Sequence, residues 1–389
     1  MGKREKKQRH QRHPRREASH YLDEDQDGGF SFDGISAAPK PSLSDEEEEE
    51  IDEEEDEPED GRASSSLTAE VPSKFHLYQQ SVQSPKGDIS YLQKFFLMYV
   101  GGRQPLHLQE DFCGTALLST EWLRTDPRRT AVGLDLDLEA LNWCMENNIN
   151  IVGADGYSRI FLFHGNVLQP NEAKLVNYEP AELIRSIKLD ECDKKDCTPQ
   201  VNASTSIGTK SSRINTEQLP SRDIICAFNY SCCCLHSRKD LVLYFRHVLS
   251  ALSKKGGIFV MDLYGGTSSE QKLRLQRKFP NFTYTWEQAE FDIVARKTRI
   301  SLHFHIQKQQ KKMRDVFSYS WRLWSLPEIK DCLEEAGFKS VHFWLREMPD
   351  THENRSTTGF GAGRDVKYEE VKSFQQQDAW NAYIVGVAK

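Results

Sequence analysis

Beyond about residue 70, short apolar runs alternate with amphipathic stretches, the pattern of parallel strands joined by helices. Residues 106–108 predict a first strand, ending in Gln109, Glu110 and a glycine-containing turn. A helix with Leu117, Leu118, Trp122 and Leu123 follows. Residues 130–134 predict a second strand stopped by Asp135, and Asp137 is placed to cap a helix carrying Leu138, Leu141 and Met145 on one face. Residues 160–163 predict a third strand, 224–228 a fourth and 258–261 a fifth closed by Asp262. Between the fourth and fifth, Leu241, Tyr244, Phe245, Val248 and Leu252 recur at helical spacing. The rhythm then changes. Phe282/Tyr284/Trp286, Ile300/Leu302/Phe304/Ile306 and Phe317/Tyr319/Trp321 alternate strictly, which predicts a small antiparallel sheet with one covered face. Ser325-Leu326-Pro327-Glu328 reads as a capping box and Gly337 as the C-terminal cap of the same helix. Residues 338–345 and 382–387 complete seven strands. The fold class expected is therefore α/β, a doubly wound seven-stranded sheet with an antiparallel excursion after the fifth strand.

Composition divides the chain. Residues 1–70 hold ten Lys and Arg against twenty-two Asp and Glu, and few branched or aromatic residues. Taking that local −12 from the whole chain's −8 leaves residues 71–389 at +4. So charged and apolar-poor a segment cannot bury enough surface to offset chain entropy, and a disordered arm is expected over 1–70. Its basic start, Lys3 to Arg16, suits a nuclear or nucleolar address. Between Asp45 and Asp60 all residues but Ile51 and Pro58 are acidic, a tail suited to a basic nuclear protein. Residues 186–221, rich in Lys, Asp, Ser, Thr and Asn, break the α/β rhythm and are expected to form a surface insertion. No run approaches the ~18–20 apolar residues of a membrane helix, and nine scattered cysteines make no disulfide framework. An intracellular domain, nuclear or nucleolar sooner than cytoplasmic, with no membrane partner is the expectation.

The chemistry concentrates at the first strand's end. Glu110, Phe112, Cys113, Gly114, Thr115 and Ala116 form an acid–turn–helix unit, and Asp135 ends the next strand. Such a carboxylate can accept two hydrogen bonds from a ribose diol, at the edge where doubly wound sheets bind ligands. A dinucleotide site needs glycines where this chain has Phe112 and Ala116, and Glu110 would repel a diphosphate. A ligand with a nucleoside at one end and an ammonium at the other suits the same residues. The residues at 232–234, three adjacent cysteines, read as buried small hydrophobes, and His303 and His305 as a solvated strand face, so no metal site is expected.

These motifs resemble those of the class I (Rossmann-like) S-adenosylmethionine-dependent methyltransferases. Residues 110–116 are similar to the first motif, with Ala116 in place of its last glycine, and Gly133-Leu134-Asp135 to the second. Residues 164–167 resemble the turn beside adenine, with Asn166 for aspartate, and residues 223–231 the fourth motif. The Gly256-Gly257 run into Asp262, and the helix ending at Gly337-Phe338, fit as well. Residues 78–83, Tyr-x-x-Ser-Val-Gln, place the chain nearest to members without an assigned substrate. The resemblance implies S-adenosyl-L-methionine as cofactor, held by Glu110, Phe112, Cys113, Gly114, Thr115, Asp135, Leu136, Gly165, Asn166, Val167 and Asn229.

Methyl transfer from a sulfonium requires alignment and exclusion of water more than a general base. Asn229, Tyr230 and Tyr264 are the candidates beside the methyl group. Trp286, Trp321, Arg322 and Trp324 of the excursion are the candidates for a lid over the acceptor, whose aromatics could cage an amine or stack on a base. The acceptor is open between a small amine or metabolite, a nuclear protein and RNA, although the core lacks a basic stripe for nucleic acid. A scaffold that kept the cofactor fold without catalysis, with the acidic tail as its functional part, is the alternative.

Overall fold

The computed structural model describes residues 71–153, 155–176, 219–348 and 367–388. The expected arm, 1–70, lies outside them, as does all but the last three residues of the expected insertion, 186–221.

Among the described residues the main sheet has nine strands. In chain order they are β1 (His107–Asp111), β2 (Thr130–Asp135), β3 (Ile160–His164), β4 (Lys174–Leu175), β5 (Ile224–Ala227), β6 (Ile258–Gly265), β11 (Ser340–Glu347), β12 (Glu369–Val371) and β13 (Trp380–Val387). Their spatial order is β12-β11-β13-β6-β5-β1-β2-β3-β4. The strands β3, β2, β1, β5 and β6 are parallel, while β13 runs antiparallel between β6 and β11. The seven expected strands form this core. The two additions, β4 and β12, are edge strands of two and three residues held by backbone pairing, so no apolar periodicity announces them. Two parallel neighbours of β1, with the chain leaving in opposite directions, place the topological switch between β1 and β5.

The central strands are buried on both faces, as parallel strands must be. All four residues of β5 and the first four of β6 are inaccessible. The helices α1 (Lys74–Val82), α2 (Pro85–Tyr99), α3 (Leu117–Arg124), α4 (Leu138–Asn147), the single turn α5 (Gly156–Arg159), α6 (Arg238–Ala251) and α7 (Leu326–Ala336) pack around them. On one side α6 buries Tyr244 and Phe245 against Phe259, with ring centroids 5.4–5.9 Å apart. On the other, Phe95 and Phe96 of α2 lie under β1, β5 and β6 with Trp122 of α3. Burying one such phenylalanine contributes ~1.5–3 kcal/mol. The reading of the sequence assigned no element to residues 74–99, where α1 and α2 lie. The signal was present: Pro85 at the helix start, then Ile89, Leu92, Phe95 and Phe96 at helical spacing.

The caps read from sequence are all made. Asp137 accepts from the Ala140 amide, Ser325 and Glu328 close the capping box, and Gly337 ends α7 at φ 110°. The antiparallel excursion is a separate sheet of four strands, one more than expected: β7 (Leu273–Lys278), β8 (Phe282–Gln288), β9 (Lys297–Ile306) and β10 (Lys311–Arg322). Its edge strand β7 escaped notice because Arg274, Gln276, Arg277 and Lys278 leave only Leu273 and Leu275 to mark a period. Strands β1, β6 and β13 of the main sheet are also longer than expected. β6 runs to Gly265 because β13 pairs with it throughout, so Asp262 and Tyr264 lie within the strand and not after it. No described helix is long and apolar enough to cross a membrane.

Candidate functional site

The turn after β1 is shaped by an alternation of backbone conformations. Phe112, Gly114 and Ala116 have φ of 56°, 51° and 46°. Only glycine takes this left-handed region freely; Ala116 does so at a cost of ~1–2 kcal/mol. The turn is held from the next strand. One carboxylate oxygen of Asp135 accepts from the Gly114 amide at 2.7 Å, the other from the Asp137 amide at 2.8 Å. Burial keeps its acid above the ordinary aspartate range, and those two amides pull it back down. Cys113 is buried beneath the turn, against Gly133, where a Cβ would stand 2.9 Å from the thiol. Thr115 is buried too, and accepts from the Gln79 side chain of α1 at 2.7 Å, which clamps α1 onto the turn.

Adjacent residues of β1 point to opposite faces. Glu110 accepts from the amide and hydroxyl of Ser119 in α3, at 2.9 and 2.7 Å. Asp111 instead accepts from the Tyr244 hydroxyl of α6 at 2.9 Å. Burial raises Glu110 to about 7, against the pull of Ser119. A small pocket opens at the switch between β1 and β5, lined by Gln83, Pro85, Asp88, Glu110, Leu118, Phe228 and Asn229. Asp88, raised to about 6 by burial, accepts from the Tyr383 hydroxyl. The sequence reading missed Gln83 and Asp88 as site residues. Their signal was positional, at the end of the Tyr-x-x-Ser-Val-Gln segment and in the first turn of α2.

Asn229 and Tyr230 follow β5 with φ of 58° and 59°, two successive non-glycine residues in the left-handed region. Such strain costs on the order of 1–3 kcal/mol per residue and persists only where the surroundings enforce it. Asp262 enforces it, accepting from the Asn229 amide at 3.0 Å and the Tyr230 amide at 2.8 Å. Burial raises this carboxyl to about 8. The Tyr230 ring stands 4.8 Å from Tyr264 and 5.7 Å from Trp321; Trp286 meets Tyr264 edge-on at 6.1 Å. The structure thus brings Asn229, Tyr230, Tyr264, Trp286 and Trp321 together.

The remaining expectations are placed differently. Trp324 is buried, with its indole N–H donating to the Leu235 carbonyl at 3.1 Å. Arg322 lies over that indole at 3.7 Å, pairs with Glu328 at 3.0 Å and donates to the His236 carbonyl. Both therefore fasten α7 and the loop after β5 to β10. Sequence spacing could not separate them from Trp321, because the capping box turns the chain inward after Arg322. Asn166 accepts from the Leu168 amide at 2.9 Å through its side-chain carbonyl, the group expected to meet adenine, which keeps a second lone pair. Val167 belongs to the buried core beside Leu134 and Phe163. Gly165 stands where a Cβ would be 2.5 Å from that of Ala173, so its smallness admits the chain returning as β4. Leu136 is 65% exposed next to Asp135, an apolar side chain available to a flat ring. His303 takes the Asp315 amide on its Nδ1, and among the described residues no group of His, Cys, Asp and Glu is arranged for a metal.

No family model and no curated protein sequence matches the chain. Solved structures do. A methyltransferase from Clostridium acetobutylicum ATCC 824 is 14% identical, over 81% of this chain and 98% of its own, with a TM-score of 0.48. The sugar N-methyltransferase KedS8 from Streptoalloteichus is 11% identical, over 85% and 100%, with a TM-score of 0.46. CalS10, an amino pentose methyltransferase from Micromonospora echinaspora solved with S-adenosylmethionine bound, is 9% identical, over 81% and 98%, with a TM-score of 0.45. All three are methyltransferases; the Clostridium structure is of an S-adenosylmethionine-dependent one.

Proposed function

We propose that this chain is an S-adenosylmethionine-dependent methyltransferase whose cofactor lies across the switch between β1 and β5. The observation that carries the reading is the pair of acids framing the left-handed turn. Asp135 stands on the side of β2 beside exposed Leu136, fit for a ribose diol and an adenine face. Glu110 and Asp88 line the pocket on the side of β5, fit for the ammonium of the methionine end. Phe112 and the two carboxylates disfavour a diphosphate, whose oxyanions would need open backbone amides there. Asn229 and Tyr230, held by Asp262, stand where the sulfonium methyl would point.

The chain's own groups would bind, orient and exclude water. When bound, S-adenosylmethionine supplies the activated methyl group. Gln79 closes α1 over the turn, and Glu110 ionises on meeting an ammonium. The acceptor would approach from the accessory sheet. This arrangement needs no general base unless the acceptor arrives protonated.

Calorimetric titration of S-adenosylmethionine into residues 71–389 tests the reading. Micromolar binding, abolished in Asp135→Ala and weakened in Glu110→Ala, is the expected result. No binding by the folded wild type would leave a scaffold without a cofactor.

A further inference from the structure

The accessory sheet carries charge out of proportion to its size. Residues 271–324 hold twelve Lys and Arg against four Asp and Glu, a surplus of eight. Residues 71–389 together carry only +4, so the remainder of that span is acidic. The surplus is also concentrated: residues 271–286 and 293–314 contain no Asp or Glu at all. Pairing of β7 with β8, β8 with β9 and β9 with β10 gathers basic positions that are dispersed along the chain. The turns after β7 and after β9 come out at the same end of the sheet. There the Gln307 amide donates to the Asn281 carbonyl at 3.2 Å, joining the two hairpin tips.

Six cations lie at or beside these tips. Lys278, Lys308, Lys311, Lys312 and Arg314 are exposed, and half-buried Arg277 lies over the Phe279 ring at 4.8 Å. Among the described residues none of the six has an ion-pair partner. Glu287 and Asp315, the acids of β8 and β10, pair instead with Arg274 at 3.9 Å and Arg299 at 3.4 Å. One row crosses all four strands: Lys278 pairs with Thr283, Thr283 with His305 and His305 with Lys312. Cross-strand partners share a face. This one lies opposite Phe282, Phe304 and Ile306, which are buried with Leu77 of α1. Three inter-strand steps set the backbones of the two lysines ~14 Å apart, with a hydroxyl and an imidazole between them. None of the large apolar side chains exposed among the described residues belongs to these tips, so a hydrophobic partner has nothing to hold. Like charges gathered without counter-charges repel one another, and a polyanion relieves that repulsion.

We infer that this end of the accessory sheet binds the phosphate backbone of double-stranded RNA. Arg277 and Lys278 form one rim, and Lys311, Lys312 and Arg314 the other, with polar groups between. Two such rims fit two lines of phosphates bordering a wide, shallow groove. The minor groove of an A-form helix has that shape, and displays 2′-hydroxyls to groups such as those of Thr283 and His305. The face is too broad for B-form DNA, whose major groove is ~12 Å wide and ~8.5 Å deep and admits one helix or a two-stranded ribbon. An acidic peptide offers a single line of charge and leaves one rim unmatched. The row that crosses the strands contains no aromatic ring to stack on a base, so shape and charge are recognised and not sequence. Binding here does not require the cofactor, yet α1 connects the two places. Leu77 packs beneath the tips, and Gln79 of the same helix holds Thr115 in the turn after β1.

Fluorescence anisotropy of labelled duplexes titrated with the full chain tests this. Duplex RNA should bind, with affinities within threefold across unrelated sequences. The variant Lys308→Gln/Lys311→Gln/Lys312→Gln should bind it at least tenfold more weakly. Each phosphate contact contributes about 0.9 to the slope of log affinity against log salt, so three lost contacts should flatten that slope by about 2.7. The charge-matched variant Lys254→Gln/Lys255→Gln/Lys339→Gln removes three exposed lysines just before β6 and β11, and should bind within twofold of the wild type. All three proteins keep the basic run from Lys3 to Arg16, so the difference belongs to the tips, and thermal unfolding checks that each variant folds. No binding by the wild type, no loss in the first variant, or an equal loss in both overturns the inference. A DNA duplex, a single strand or polyglutamate bound as tightly as duplex RNA overturns double-stranded RNA as the partner.

Discussion

The main sheet and the accessory sheet bury aromatic residues in opposite styles. Under β6, Phe259 is sealed among Tyr244, Phe245 and Phe338, with no accessible surface. On β8, Trp286 has comparable neighbours in Leu302 and Tyr264, yet keeps part of its surface. Parallel strands covered by helices must fill both faces, because any void forfeits contacts and leaves backbone groups without water. An antiparallel sheet covered on one face can leave that covering incomplete. The first arrangement fixes where the strands end; the second leaves ring surface available to a ligand.

The comparison can be broken most forcefully at Phe259. Phe259→Ala should cost about 3–5 kcal/mol in urea unfolding, the usual penalty of a core cavity, whereas Trp286→Leu should cost less than half as much. A similar loss from both would show that the accessory face is ordinary core. The next largest effect belongs to the floor of the site. Asp135→Asn should weaken S-adenosylmethionine binding about 100-fold, near 2.7 kcal/mol, because it removes a ribose acceptor and slackens the turn at Gly114. Arg322→Ala, by contrast, should leave binding within twofold and lower stability by ~1 kcal/mol, read by calorimetry and by thermal unfolding of one preparation.

Acidity sharpens the contrast further. Glu110 is raised from 4.5 to about 7 and Asp262 from 3.8 to about 8. The folded chain therefore holds protons that the unfolded chain has released. Their contribution is fully present below about pH 4 and is lost as pH rises through 7 to 8. The melting midpoint of the ligand-free chain should fall between pH 5.5 and 8 on this account, and Glu110→Gln should flatten the slope. An equal slope in Glu110→Gln would mean that Glu110 is already ionised when empty. The smallest effect is expected at the capping box, where Ser325→Ala should cost about 1 kcal/mol without touching ligand affinity.

Much of this site was legible in the sequence because its parts are local. The acid-turn-helix run from Glu110 to Ala116 and the strand ending at Asp135 are set by neighbours within a few residues, and the structure joins them as their order implies. Caps at Asp137, Ser325 and Gly337 were legible for the same reason: each is a contest between one side chain and the nearest amides. Helices α1 and α2 carried a readable period that went unassigned, and with them Gln79, Gln83 and Asp88. Asn166 and Val167 were assigned from resemblance to a turn; the Asn166 side chain accepts from the Leu168 amide and Val167 packs in the core.

What the sequence alone determined was the kind of fold, the parallel order of alternating strands and the identity of the two acids beside the turn. Periodicity and local hydrogen bonding suffice for those, since they act along the chain. Only the tertiary structure decided which face each group serves. It sent Glu110 to the pocket and Asp111 to Tyr244, packed Trp321 against Tyr230 and Tyr264 and Trp324 against the loop after β5, and set Asp262 under a turn 33 residues away in sequence. Those outcomes depend on which strands become neighbours, and burial and charge act through space across that pairing.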